Sequence, residues 1–183
     1  MNSLQGHLLV ASTSLLDPNF RRAVVLIVRH NEDGAVGLIL NRRTTATIEE
    51  VWDKVSQSPC QRADNVYLGG PCQGPLMAVH VRAAEDDIEI LEGVYFTSEP
   101  EELERIVVEP ELKSKFFFGY AGWGHGQLEA ELNQGAWLTL PATVEHVFGN
   151  QQGVWEKLLK QGTGRSLAAL LNIKHVPADP SLN

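Results

Sequence analysis

Arg22-Ala-Val-Val-Leu-Ile-Val-Arg-His30, Asn31-Glu-Asp-Gly34, Ala35-Val-Gly-Leu-Ile-Leu-Asn41: this continuous stretch decides the fold. Two β-branched, apolar runs flank an Asp-Gly step. Gly34 supplies the positive φ that a tight turn between antiparallel strands demands. Neither run alternates polar with apolar residues, so both faces of each strand must be covered. That places the hairpin at the centre of a sheet and not on its rim.

Working outward, His7–Ala11 reads as a short strand and Asp17-Pro-Asn-Phe20 as a loop. Beyond the hairpin a helix begins near Thr47, which forms a capping box with Glu50. Ile48, Val51, Trp52 and Val55 then follow at i, i+3, i+4, i+7. Val66–Leu68, Met77–Arg82, Ile88–Leu91 and Val94–Phe96 read as strands, with Glu92-Gly93 turning the last pair. Ser98 and Glu101 form a second capping box, ahead of a helix with Leu103, Ile106 and Val107 as its stripe and Pro100 in its first turn. Lys115–Ala121 reads as an aromatic-rich strand, Gln127–Leu132 as a helix, and Ala136–Leu140 as a strand stopped by Pro141. The last third is helical, with Val154, Trp155, Leu158 and Leu159 in one helix and Leu167–Leu171 in another, before a polar tail. No repeat, linker or low-complexity segment divides the chain. Residues 1–183 therefore read as one domain of helices and hairpins.

Composition excludes several classes. At 43% hydrophobic and 21% charged residues, the chain is not disordered, collagenous or a coiled coil. Fifteen Lys and Arg against 23 Asp and Glu give a net charge of -8, which is not a generically phosphate-seeking balance. The acids concentrate between Glu85 and Glu111, a run that reads as a solvated helix face with flanking loops; the alternative is a surface for a basic partner. Met1-Asn-Ser-Leu-Gln5 lacks the positive region of a signal peptide, and the strongly apolar run 23–28 is too short to span a bilayer. The expectation is a cytoplasmic protein off the membrane, with Cys60 and Cys72 as free thiols whose redox activity their spacing leaves open.

Chemistry-bearing motifs are sparse. Gly119-Tyr-Ala-Gly-Trp-Gly-His-Gly126 lies between a strand and a helix, where backbone N–H groups could cradle an anion. It lacks a P-loop lysine and the G-x-G-x-x-G spacing, and a tight backbone crossing with Trp123 as a core plug explains it equally. Gly162-Thr-Gly-Arg-Ser166, read as preceding a helix, offers a second nest. No metal is expected: among six histidines there is no HxH or HExxH, and only His125 and Glu129 stand at i, i+4. No nucleophile elbow is present, and Cys72 has no neighbouring base.

Gly6-His-Leu-Leu-Val-Ala11, Asp17-Pro-Asn-Phe20, Val24–His30, Gly34–Arg42, Tyr67-Leu-Gly-Gly-Pro71, Phe118–Glu131 and Ala136-Trp137, in this order and spacing, resemble the YqgE/AlgH family of small bacterial proteins. The resemblance runs over roughly residues 4–175. It implies a single α+β domain with a mixed, largely antiparallel sheet surrounded by helices, and brings no established reaction. The AlgH name reflects a proposed, indirect role in regulating transcription of exopolysaccharide genes. Arg43, Cys72 and His125 depart from the residues usual in the family, which weakens a family-wide metal or nucleophile role for the last two.

Among the matching residues, Asn41 and Arg42 end a buried strand while Gln127 and Glu129 open a helix after the glycine run. Strand ends and helix starts gather in one crevice in α/β folds. The candidate ligand-binding set is therefore Asn41, Arg42, Gly69, Gly70, Pro71, Gly122, Trp123, Gly124, Gln127 and Glu129. A structural ion pair between Arg42 and Glu129 or Glu131 is the competing account. With no catalytic residues and no cofactor indicated, the functional reading is a non-catalytic regulatory or binding protein acting through an unknown protein or small-molecule partner, without direct DNA binding. The alternative is an enzyme or sensor for a small anionic metabolite beside the loop 119–126.

Overall fold

The computed structural model describes residues 3–85 and 87–170 of the chain, residues 165–170 as backbone alone. It opens with the meander the sequence anticipates: β1 (His7–Ala11), β2 (Val24–Asn31) and β3 (Gly34–Ile39), each antiparallel to the last. Gly34 turns the hairpin at φ 139°, where a Cβ would run into the Trp123 carbonyl. Then come β4 (Arg43–Thr47), α1 (Ile48–Val55), β5 (Asn65–Leu68), β6 (Cys72–His80), β7 (Ile88–Leu91) and β8 (Val94–Thr97). The chain continues through α2 (Pro100–Val107), β9 (Ser114–Gly124), α3 (Gln127–Asn133), β10 (Trp137–Pro141), α4 (Val144–Phe148) and α5 (Val154–Leu170).

All ten strands join one sheet, ordered β10-β1-β2-β3-β9-β6-β8-β7, with β5 on β9 and β4 on β5. The long β9 organises it. Its C-terminal half pairs with β3, its N-terminal half lies parallel to β5, and its other edge carries β6. The β5–β9 pair is the parallel one; the rest are antiparallel, as the α+β expectation required. The sheet curls until β7 meets its beginning: Gln5 Nε2 donates to the Glu89 carbonyl at 2.9 Å.

The period-two alternation of β6 and β9 divides apolar residues between two faces. Leu76, Ala78 and Phe116 pack with Ile48 and Trp52 of α1 and Leu103 and Ile106 of α2. Met77, Val79 and Phe117, each one residue further on, belong to the larger core with Leu8, Leu26, Leu38 and Trp155. The meander is apolar on both faces because both are covered: Leu8–Ala11 and Val24–Ile27 are all fully buried.

Several expectations are corrected. β9 does not stop at Ala121 but runs through the first glycines to Gly124, and β6 begins at Cys72, five residues earlier than its apolar run suggests. The Thr47–Glu50 capping box forms, but the Ser98–Glu101 box does not. The N-cap of α2 is Glu99, without a side-chain cap, and its N–H donates to Thr97 Oγ1 at 3.2 Å. Residues 162–166 lie inside α5, so no helix starts there to hold an anion, and Leu167–Leu170 continues that helix instead of forming another. Leu171 and the polar tail lie outside the described residues. Of the acidic run, Asp87 and Glu102 are not solvated; their side chains are 1% and 7% exposed.

Candidate functional site

The structure divides the residues that the sequence grouped: Gly69 stays beside the end of β3, its carbonyl accepting from Ile39 N at 2.8 Å, while the residues from Gly124 onward lie at the other end. Asn41 and Arg42 lie past the C-terminal end of β3, whereas Gly34 at its other end pairs with Gly124. The strand between them spans roughly 20 Å at about 3.3 Å per residue. Asn41 is a clamp: Oδ1 accepts from Val24 N at 3.0 Å and Nδ2 donates to the Arg22 carbonyl at 2.9 Å. Arg42 Nη2 reaches the Pro18 carbonyl at 3.3 Å; burial lowers its pKa against the opposing pull of Asp17. Gly69 and Gly70 are buried where the chain crosses β9. A Cβ on Gly70 would collide with the backbone of Tyr120 and Ala121, so glycine there permits close approach. Pro71, Gly122 and Gly124 are exposed.

Around α3 the polar residues hold one another. Glu131 Oε2 accepts from both Trp123 Nε1 (2.9 Å) and Trp137 Nε1 (2.8 Å), and Oε1 takes Gln127 Nε2 (3.0 Å). The two indoles meet edge to face at 6.0 Å. Glu129 Oε1 pairs with His30 Nε2 at 2.9 Å, and His30 Nδ1 accepts from Leu4 N at 3.0 Å. Neither acid pairs with Arg42. His125 and Glu129 do not share a helical face, since α3 starts at Gln127, and His125 Nδ1 meets the Glu32 carbonyl.

A different feature has the character of a site. A cleft of about 690 Å³ opens between β5, the start of β9, the segment 61–64, Pro110 and Phe148. At its wall stands Lys115, on the same face of β9 as Phe117 and only 7% exposed. Its Nζ donates to the Val147 carbonyl at 2.8 Å, near the end of α4. The ammonium also lies 4.5 Å from the Tyr67 ring centroid, a cation–π contact. Burial holds its pKa down to about 8. Among the described residues no carboxylate lies within ion-pair distance of Lys115.

Arg62, 5% exposed, lines the same cleft. Its Nε donates to Asp64 Oδ2 at 2.8 Å, while Nη1 ties down the Glu109 and Leu112 carbonyls at 2.7 and 3.0 Å. Arg43, opposite Tyr67 in the β4–β5 ladder, is held by Asn65 Oδ1 through Nε (2.9 Å) and Nη2. With the adjoining hollow of about 270 Å³, the walls carry Arg43, Arg62, Lys113 and Lys115 against Asp64 and Glu111. On a chain of net charge -8 this is a positive island. None of these residues was in the sequence-derived set. The signal available was a lysine on the Phe117 face of an otherwise apolar strand.

Cys60 and Cys72 are free and half-buried; burial raises the Cys60 thiol pKa, the opposite of activation. Among the described residues no helix is long and apolar enough to cross a membrane.

Fold and cleft together define a small α+β protein built on one curled, largely antiparallel sheet with a cationic recess. Residues 8–166 match the model of the AlgH-like family, DUF179, and the chain belongs to that family. It is 34% identical over 171 residues to a UPF0301 protein of Chlorobaculum tepidum, covering 87% of each chain. It is 39% identical over 153 residues to one of Stenotrophomonas maltophilia, covering 80% of this chain and 81% of that one. The solution structure of the AlgH protein from Pseudomonas aeruginosa superposes with a TM-score of 0.74 at 32% identity, over 97% of this chain and 98% of that one. The crystal structure of a Corynebacterium diphtheriae protein gives 0.70 at 25% identity, over 88% of each.

Proposed function

We propose that the chain is a non-catalytic cytoplasmic binding protein whose cleft beside Lys115 takes a small anionic metabolite, a carboxylate or phosphate monoester, and that it influences transcription indirectly through a protein partner. The observation that carries this reading is the buried ammonium of Lys115, a residue that lines the cleft and, among the described residues, has no carboxylate within ion-pair distance. An uncompensated buried cation is costly, and a bound anion supplies the missing charge. Tyr67 and Phe148 give the same recess apolar wall for the rest of a ligand. Four cations in a recess on an acidic chain suit one small anion better than a duplex, whose affinity scales with the number of phosphates neutralised.

The test is thermal shift of the wild type and Lys115→Met across a panel of small carboxylates and phosphates, since native-state binding raises Tm. A rise of several degrees confined to the wild type is expected. No rise with any member, or the same rise in the variant, overturns the reading. Fluorescence anisotropy with promoter and random duplexes at about 150 mM salt should show no sub-micromolar binding.

The lowered Lys115 pKa supports a second reading, an enzyme that uses the free amine as a nucleophile. Borohydride trapping with small keto acids separates the two: a stable adduct on Lys115 favours catalysis.

A further inference from the structure

His80 ends β6, and Asp87 follows it just before β7. Glu102 lies in the first turn of α2, beside the apolar stripe that helix buries. The three side chains are 0%, 1% and 7% exposed, and one ligand atom from each lies within 4.8 Å of the others. His80 Nε2 stands 3.1 Å from Asp87 Oδ2, yet neither atom has a hydrogen-bond partner of acceptable geometry, and neither does His80 Nδ1. The main chain of Arg82 approaches the ring without aligning to either nitrogen. Orphaned polar atoms buried side by side are what a native interior otherwise avoids.

Their spacing has a simple physical reading. Donors about 2.1 Å from one ion lie about 3.0–3.4 Å apart in octahedral or tetrahedral coordination, which is how Nε2 and Oδ2 stand. Glu102 is held as a ligand would be: Arg82 donates to Oε1 through Nη2 (2.6 Å) and Nε (3.1 Å), and Arg105 Nη1 approaches Oε2 at 3.3 Å. Arg82 is itself anchored by Glu109. Such outer partners fix the orientation of a ligating carboxylate. One imidazole with two carboxylates suits a borderline divalent ion such as Zn²⁺ or Co²⁺. Ca²⁺ and Mg²⁺ prefer oxygen alone, and Cu(I) prefers sulfur.

We propose that His80, Asp87 and Glu102 bind one divalent transition-metal ion of the zinc class, with at least one coordination position left for water or a ligand. None of the three lines the Lys115 cleft, although His80 pairs with Ser114 of its wall.

The test uses the full chain stripped with a chelator, then titrated with Zn²⁺ by calorimetry and with Co²⁺ by visible absorption. One ion per chain, a raised Tm and the intense bands of four- or five-coordinate Co²⁺ are expected. Asp87→Asn and His80→Gln each weaken binding at least about tenfold; His125→Gln, at an exposed histidine, leaves it unchanged. Circular dichroism of the metal-free variants establishes that they are folded. Should either fail to fold, ¹⁵N-histidine spectra of the wild type decide, because Zn²⁺ must move the His80 ring signals. No stoichiometric uptake by the wild type, uptake that survives in folded Asp87→Asn, or Zn²⁺ shifts confined to other histidines would overturn the proposal.

Discussion

Replacing Lys115 with methionine isolates the charge of the buried amine. Burial holds the lysine pKa at about 8, against the ordinary 10.5 it regains on unfolding. For a cation with a depressed pKa, the unfolded chain keeps between those values a proton that the native protein has shed. Wild-type stability therefore rises with pH through that window, and below pH 8 the penalty is present in full. At 1.36 kcal/mol per pH unit the gap amounts to about 3 kcal/mol, of which about 2–3 kcal/mol is recovered between pH 7 and pH 10. Methionine carries no proton, so the stability difference between wild type and Lys115→Met should move in favour of the wild type by that amount. Its absolute value at pH 7 is a poorer test, because the variant also strands the Val147 carbonyl, which costs about 1–3 kcal/mol. Urea unfolding of both proteins at pH 7, 8, 9 and 10, followed by tryptophan fluorescence, measures the difference while shared titrations cancel. Curves that stay parallel across this range would refute the claim that a desolvated ammonium stands at the cleft wall.

The affinity of any anion that pairs with the Lys115 ammonium should fall roughly tenfold per pH unit above 8, as calorimetry in a pH series would show; an affinity flat to pH 10 assigns the ligand elsewhere. Glu131→Gln leaves two indole N–H groups competing for one amide oxygen, so a loss of about 2–4 kcal/mol is expected in denaturant unfolding. Gly70→Ala should cost upwards of about 3 kcal/mol or prevent folding, because its Cβ meets β9 backbone. Gly124→Ala, with open space at the same point, should stay within about 1 kcal/mol.

The central hairpin was legible because burial on both faces leaves a sequence no polar alternation, and the Thr47 cap because both its partners sit three residues apart. β4 was not, since Arg43-Thr-Thr-Ala-Thr47 has neither apolar periodicity nor more than a half-buried face. The glycines after Phe118 read as a loop because glycine usually punctuates. Here Gly122 and Gly124 extend the strand, and at Gly119 a Cβ would meet the Gly70 carbonyl of the crossing chain. The expected crevice failed for a topological reason: β3 carries its two groups of polar residues at opposite ends. The Lys115 cleft draws residues from 43 to 148, and its amine is held by a carbonyl 32 residues away. No local pattern encodes such a meeting. His80, Asp87 and Glu102 escape motif reading in the same way, being joined by the return of the chain after β6 and by the placing of α2.

The strand order also has a temporal side. β1–β3 can assemble as soon as Ile39 has left the ribosome, yet β3 must wait for residues 121–124 and β1 for residues 137–141. At about 5–20 residues per second the nascent meander stands for roughly 5–20 s with two unpaired edges and its most apolar surface bare. A chain arrested before β9 is thus a template for strand addition, not a harmless fragment. The surface bare for that interval is the very hairpin that later lies deepest inside the fold.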